Sequence, residues 1–170
     1  QEASKSCIQV FFYRSKQNWG NQSFFPSHDD THSAEEVLAS FITQFYENKN
    51  VPAEILLNKK INNLSLIKSA LGGKEKKLVT IKLATKGNAL RLSKMAEKNA
   101  KEALTRKIFE SETNIKLLDQ IAEKFKLNIL PRLVEVYDNS HIQGTDSVGA
   151  LISYGEEGFI KKRYRKFNIK

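Results

Sequence analysis

Residues 132–144, Arg-Leu-Val-Glu-Val-Tyr-Asp-Asn-Ser-His-Ile-Gln-Gly, constrain the fold more tightly than any other stretch of the chain. Leu133 to Tyr137 form an alternating apolar run with the period of a half-buried strand. The run delivers an acid, Asp138, to the expected strand end, and polar or turn-forming Asn139, Ser140, His141 and Gly144 follow at once. A carboxylate fixed on a strand beside a histidine is a common start for a metal site. A second strand is expected over residues 146–154 and a third over 159–169.

That third segment carries Lys161, Lys162, Arg163, Arg165 and Lys166. As one continuous strand it would put Lys161, Arg163 and Arg165 on one face and Lys162, Tyr164 and Lys166 on the other. Both faces are basic, so at least one should meet phosphate rather than a core. Arg163 and Arg165 are favoured, because a guanidinium can grip phosphate through two hydrogen bonds. The alternative is a solvated edge on which lysines discourage strand aggregation. The acid, the hairpin and the basic segment together fit the core of a nucleic-acid nuclease.

Composition bounds the partners. The 170 residues carry a formal charge of +9, which favours a polyanionic partner, usually nucleic acid; a merely Lys-rich surface is the alternative that charge alone leaves open. Forty per cent apolar content with few Gly and Pro is that of a globular chain. The single cysteine, Cys7, excludes a disulfide framework and is expected to be a buried, inert thiol in a strand. No apolar run approaches the ~20 residues of a membrane span, and the N-terminus is not a signal peptide. The absence of an initiator Met and the strand-like ending suggest a piece of something longer.

Along the chain, residues 7–13 are β-branched and aromatic and are expected as a strand. A polar connection over 14–21 and a returning strand over 22–26, stopped by Pro26, should follow. Within the connection Trp19, beside Arg14 and Lys16, is the one plausible surface aromatic, whereas Phe25 is assigned to the core. Trp19 and Arg14 are therefore candidate nucleic-acid contacts. His28, Asp29 and Asp30 look like a metal cluster but read as an ordinary loop. Ser33 and Glu36 form a capping box before a helix with an apolar stripe at Val37, Leu38, Phe41, Ile42 and Phe45. A strand at 53–57, a helix from Leu64 to Leu71 ended by Gly72-Gly73, and a strand at 78–83 come next. The longest helix covers 88–109, is expected to break at Ser111-Glu112-Thr113, and is followed by another helix through Phe125.

The order ββαβαβα(α)βββ is an α/β pattern with a second unit begun and not finished. Aligning Ile8–Phe12 on Val134–Asp138 sets Phe12 where the second copy has its acid, which suggests tandem related units. The expected division is residues 1–110, a helical connector at 111–131, and three strands at 132–170.

Several separated motifs then resemble one family. Val136-Tyr137-Asp138-Asn139-Ser140-His141-Ile142-Gln143-Gly144, Ser147-Val148-Gly149-Ala150 and Lys162-Arg163-Tyr164-Arg165-Lys166-Phe167-Asn168-Ile169-Lys170 resemble UvrC, the nuclease subunit of the bacterial UvrABC excinuclease. So do Val10–Arg14 with Asn18–Pro26, and Lys94–Ala100. The resemblance implies an RNase H-like mixed sheet with helices, in which a degenerate first unit precedes an incomplete second one of three strands. It implies a cytoplasmic bacterial protein of nucleotide excision repair that acts on DNA together with a UvrB–DNA complex. It also implies Mg²⁺ or Mn²⁺ held by acids, with Asp138 matching the first catalytic aspartate.

The family's usual Gly pair in the first turn is Ser15-Lys16 here, and a branched apolar residue after the Asp is Asn139. Later catalytic acids and a catalytic histidine lie beyond Lys170 in the family, so the piece alone is expected not to cut DNA. His141 and Gly144 are read as structural support for the Asp138 turn. A non-catalytic nucleic-acid-binding remnant, or a small RNA-associated protein, remains open on these residues.

Overall fold

The computed structural model describes residues 1–2, 5–76, 78–142 and 145–169, with backbone alone at 141–142 and 145–146. It is a mixed α/β structure of small sheets and helices in two compact units, Gln1–Thr105 and Arg106–Lys170.

The first unit opens with an antiparallel hairpin, β1 (Ile8–Arg14) and β2 (Gln17–Phe24). Its turn is just Ser15 and Lys16, both left-handed at φ 49° and 64°. Two positive-φ residues make the primed turn whose twist suits a hairpin, so β2 starts at Gln17 rather than in the expected 22–26 stretch. Cys7 lies just before β1 and is half-buried, not enclosed in a strand. Phe24 packs on Phe41 and Phe45 with centroids 5.2 and 5.4 Å away. Phe25, one residue past the strand, alternates outward and is 42% exposed, contrary to its core assignment.

Helix α1 (Ala34–Phe45) begins at the expected capping box: Glu36 N–H donates to Ser33 Oγ at 3.3 Å, and Ser33 N–H donates to Glu36 Oε2 at 2.8 Å. A parallel pair, β3 (Glu54–Leu57) and β4 (Thr80–Leu83), is joined through α2 (Leu64–Glu75). Ile42, Val51, Leu57, Ile61, Leu71, Val79 and Ile81 form the core between these elements.

Helix α2 does not stop at Gly72-Gly73 but runs to Glu75, with Lys76 as its left-handed cap. Its last turn is held from outside. Glu75 Oε1 accepts Val51 N–H at 2.8 Å, and Lys74 Nζ donates to the carbonyls of Tyr46, Glu47 and Lys49. Those bonds outweigh a glycine propensity penalty of about 1 kcal/mol per residue.

Helix α3 (Gly87–Lys124) is unbroken through Ser111-Glu112-Thr113. Thr113 Oγ1 donates back to the Phe109 carbonyl at 2.9 Å, and Ser111 Oγ reaches Glu157 Oε1 at 3.3 Å. The polar side chains are thus satisfied without opening the helix. In the second unit Leu118 is fully buried, and Tyr154 Oη donates to Asn114 Oδ1 at 2.7 Å.

The sheet of the second unit has β6 (Thr145–Gly155) at its centre, β5 (Leu133–Ile142) on one side, and β7 (Gly158–Phe159) and β8 (Arg165–Asn168) on the other. The expected single strand over 159–169 is therefore two short strands separated by a 3₁₀ turn, Lys161–Arg163. Among the described residues, no helix is long and apolar enough to cross a membrane.

Two stability effects follow. Lys16→Gly should stabilise the chain by up to about 1–2 kcal/mol, since it relieves a left-handed non-glycine residue; a denaturant midpoint that falls would contradict the turn assignment. The Glu36 carboxyl sits below the usual glutamate range because it accepts the Ser33 backbone and hydroxyl hydrogens. A depressed folded value means that its contribution is full at neutral pH and is lost as pH falls through that value. Ser33→Ala should therefore lower stability more at pH 7 than in acid, read from paired denaturation curves.

Candidate metal and nucleic-acid site

Strand β5 presents Asp138 in an unbroken antiparallel ladder on β6, opposite Ala150. On the far side of β6, Ala150 is opposite Lys166 of β8. Partners in a ladder share a face, so Asp138, Ala150 and Lys166 form one row on one side of the sheet. Three strands at ~4.8 Å spacing set the acid and the lysine backbones about 10 Å apart, with only a methyl group between them. The row below holds Val136 and Ile152, which are 54% and 38% exposed, and the row above holds Ser140, Val148 and Asn168. Asp138, Ala150 and Lys166 are all exposed.

The opposite face is occupied differently. Glu135 lies across from Ser153, which is fully buried, and its Oε1 accepts from Ser153 Oγ at 3.4 Å and from Arg163 Nη2 at 3.2 Å. Arg165 turns onto its own backbone, donating to the carbonyls of Lys162 and Tyr164 at 2.9 and 2.8 Å. A Cβ at Gly149 would come within 3.0 Å of the Asn139 Oδ1, so a larger residue there would need the Asn139 side chain to shift. Asn139 thus lies over the glycine opposite it.

The 3₁₀ turn corrects the face assignment made for a continuous strand. Phe159 is opposite Tyr154, yet Arg165 is opposite Leu151, so the three residues Lys161–Arg163 are looped out of the ladder. Without the excursion, Lys166 would fall opposite Ser147, on the face away from Asp138. An odd number of extra residues flips every side chain that follows. Arg163 and Arg165, favoured from the sequence as phosphate contacts, are engaged with Glu135 and with backbone carbonyls. Among the described residues, Lys162 and Lys166 carry no ion pair and have their ammonium groups free.

In the first unit, Arg14 and Trp19 meet, with the guanidinium 5.1 Å from the ring centroid and the indole 64% exposed. His28 uses both ring nitrogens, one with Ser6 Oγ at 2.7 Å and one with the Asp29 carbonyl at 3.0 Å, consistent with an ordinary loop. His141 contributes backbone to β5 but its side chain lies outside the described residues, as does all of Gly144. Among the described residues no group of three or more His, Cys, Asp or Glu could enclose a metal. Asp138 therefore offers a single hard oxygen ligand. That suits a hard divalent cation, which is often held by one or two carboxylates plus water and substrate phosphate. Glu135 and Ala150 were missed by sequence reasoning. A lone acid inside an apolar strand was the available signal for Glu135.

Two family models span nearly the whole chain. The UvrC Ribonuclease H-like domain matches residues 1–107, and the UvrC RNAse H endonuclease domain matches residues 122–170. The chain belongs to the UvrC family. Curated UvrC relatives named UvrABC system protein C are similar along its entire length. One from Ruegeria sp. (strain TM1040) is 48% identical over 99% of this chain and 27% of its own. One from Maricaulis maris (strain MCS10) is 47% identical over 99% and 27%, and one from Bartonella henselae (strain ATCC 49882 / DSM 28221 / CCUG 30454 / Houston 1) is 46% identical over 100% and 26%. The chain thus spans about a quarter of the length of these UvrC relatives. No solved structure matches it.

The engaged and free cations separate in a binding measurement. Lys162→Ala and Lys166→Ala should each reduce the salt dependence of duplex binding, log K against log salt, by about 0.9. Arg163→Ala should leave that slope unchanged and cost no more than about 1 kcal/mol of stability, because its ion pair is half exposed. An Arg163 variant that loses the slope while a Lys166 variant keeps it would reverse this ranking.

Proposed function

We propose that this chain supplies the first metal-binding carboxylate of a divalent-metal-dependent DNA endonuclease of nucleotide excision repair. The observation that carries the reading is the row Asp138–Ala150–Lys166, a carboxylate and a free ammonium facing the same way across a side chain too small to fill the space between them. Membership of the UvrC family supports it.

In this reading Asp138 holds Mg²⁺ or Mn²⁺ together with acids contributed by the remainder of the endonuclease domain. A metal so held lowers the pKa of bound water and stabilises charge on the phosphodiester in the transition state. Lys166 holds a phosphate oxygen beside the carboxylate, where its charge offsets repulsion between Asp138 and the DNA backbone. Lys162, in the 3₁₀ turn, takes a neighbouring phosphate. Ala150 keeps the row open for the strand to approach.

The proposed division is a degenerate RNase H-like unit at 1–110, a helical connector at 111–131 and the start of the endonuclease domain at 132–170. The working partner is a UvrB–DNA complex, and the setting is the bacterial cytoplasm. In this reading the 170-residue chain on its own binds DNA without cutting it, a non-catalytic binding role.

The test uses a full-length protein carrying this segment, with a lesion-bearing duplex and its loading partners. Asp138→Ala should lower incision by at least ~10²-fold, the scale for losing a group that stabilises transition-state charge. Lys166→Ala should weaken incision, and Lys166→Arg should restore part of it. Incision undiminished in Asp138→Ala would sink the proposal. Nicking by the 170-residue chain itself, lost on Asp138→Ala, would instead show that the chain is competent alone.

A further inference from the structure

We propose that Trp19 and Arg14 on the β1–β2 hairpin form a stacking site for an unpaired nucleobase, separate from the Asp138 row. The inference rests on the chain meeting DNA, but not on the assignment of Asp138.

The hairpin is built to expose this indole. Phe11 is opposite Asn21 and Tyr13 opposite Asn18, so Phe12 alone faces two residues, Trp19 and Gly20. That is a β-bulge, a device that re-aims side chains and disrupts a ladder locally. Gly20 takes φ +123°, which a side chain rarely adopts, and its N–H donates to Asn18 Oδ1 at 2.9 Å. Phe12 stacks on Phe45 at 6.4 Å, whereas Trp19 has no ring partner among the described residues. The Arg14 guanidinium, 5.1 Å from the ring centroid, engages the indole, and nearly two-thirds of the residue stays in solvent.

The charge around it selects a polyanion. No Asp or Glu occurs between residues 3 and 28, while Arg14 precedes the turn and Lys16 lies in it. Exposed amides at Gln17 and Gln22 add hydrogen-bonding groups suited to base edges. A guanidinium-backed aromatic with adjacent cations and no acid is the arrangement that binds single strands, with stacking on the ring and phosphate on the cations. Trp and Arg also dominate protein–protein contacts, so a protein partner is the competing occupant.

Trp19 is the only tryptophan of the chain, so its fluorescence reports on this site alone. Titration of the 170-residue chain with a short oligothymidylate should quench that fluorescence saturably. Heparin, a polyanion without bases, should bind without comparable quenching. Trp19→Ala, followed by anisotropy of labelled oligothymidylate, should lose about 5- to 150-fold in affinity, the scale of one stacked base. Trp19→Phe should retain most of the binding, and thermal unfolding should be nearly unchanged for a side chain this exposed. Equal quenching by heparin, or unchanged oligothymidylate affinity in Trp19→Ala, would overturn the proposal and favour a protein contact. Asp138→Ala should quench as the wild type does, so failure of the nuclease reading and failure of this one are told apart.

Discussion

Everything proposed about catalysis depends on the register of two antiparallel ladders, β5 on β6 and β6 on β8. Because side chains alternate with a period of two, register decides which residues face the same way, and a shift by any odd number reverses the answer. The β5–β6 ladder is regular from Leu133 to Ser140, so the face of Asp138 is fixed by Val134 and Tyr154 at the helix-packed end of the strand. The β8 ladder is not an independent choice. Arg163 N–H donates to Ile160 O at 2.9 Å, and Tyr164 N–H to Lys161 O at 3.2 Å. These bonds close the 3₁₀ turn and return the chain to β6 with Lys166, rather than Arg165, on the Asp138 side.

That turn explains why the site was only partly legible in the sequence. The Asp138 strand was readable because its five alternating residues are a local signal, although Asp138 is not the strand end expected for it: the polar residues after it stay paired on β6 and the strand runs to Ile142. The capping box at Ser33 and Glu36 was readable for the same reason. The faces of the basic segment were not, since Lys161-Lys162-Arg163 contains no Gly, Pro or Asn to mark an excursion from a strand. The side-chain contact made at the turn is tertiary: Arg163 donates to Glu135, a residue 28 positions away. The same distinction covers the helices. Gly72-Gly73 and Ser111-Glu112-Thr113 look like stops, yet bonds from Lys74, Glu75 and Ser111 to distant segments carry the helices through them. Local propensities of about 1 kcal/mol are small against several hydrogen bonds that sequence does not reveal.

The Ser15-Lys16 turn is a third case. A pair of glycines would announce a primed hairpin turn, whereas this chain reaches the same geometry with two ordinary residues. The hairpin forms because β1 and β2 gain cross-strand pairs and an aromatic cluster around Phe24, Phe41 and Phe45. Strain in the turn is tolerated because the strands on either side determine it.

The two hairpins show how a shared strand-first plan reaches opposite surface chemistry. At the position aligned with the acid, Phe12 sits in a bulge and turns to Phe45, so an apolar contact occupies the place where a polar row would run. At Asp138 the ladder has no bulge, the neighbour across is a methyl group, and the next residue across is a lysine. A larger side chain than Ala150 would cover the carboxylate or block a phosphate. An acid in place of Lys166 would leave two like charges on one face with no cation to bring DNA near. The small residue and the lysine are therefore as much a condition of the proposed chemistry as the aspartate, and the excursion at Lys161–Arg163 is what brings the lysine to it.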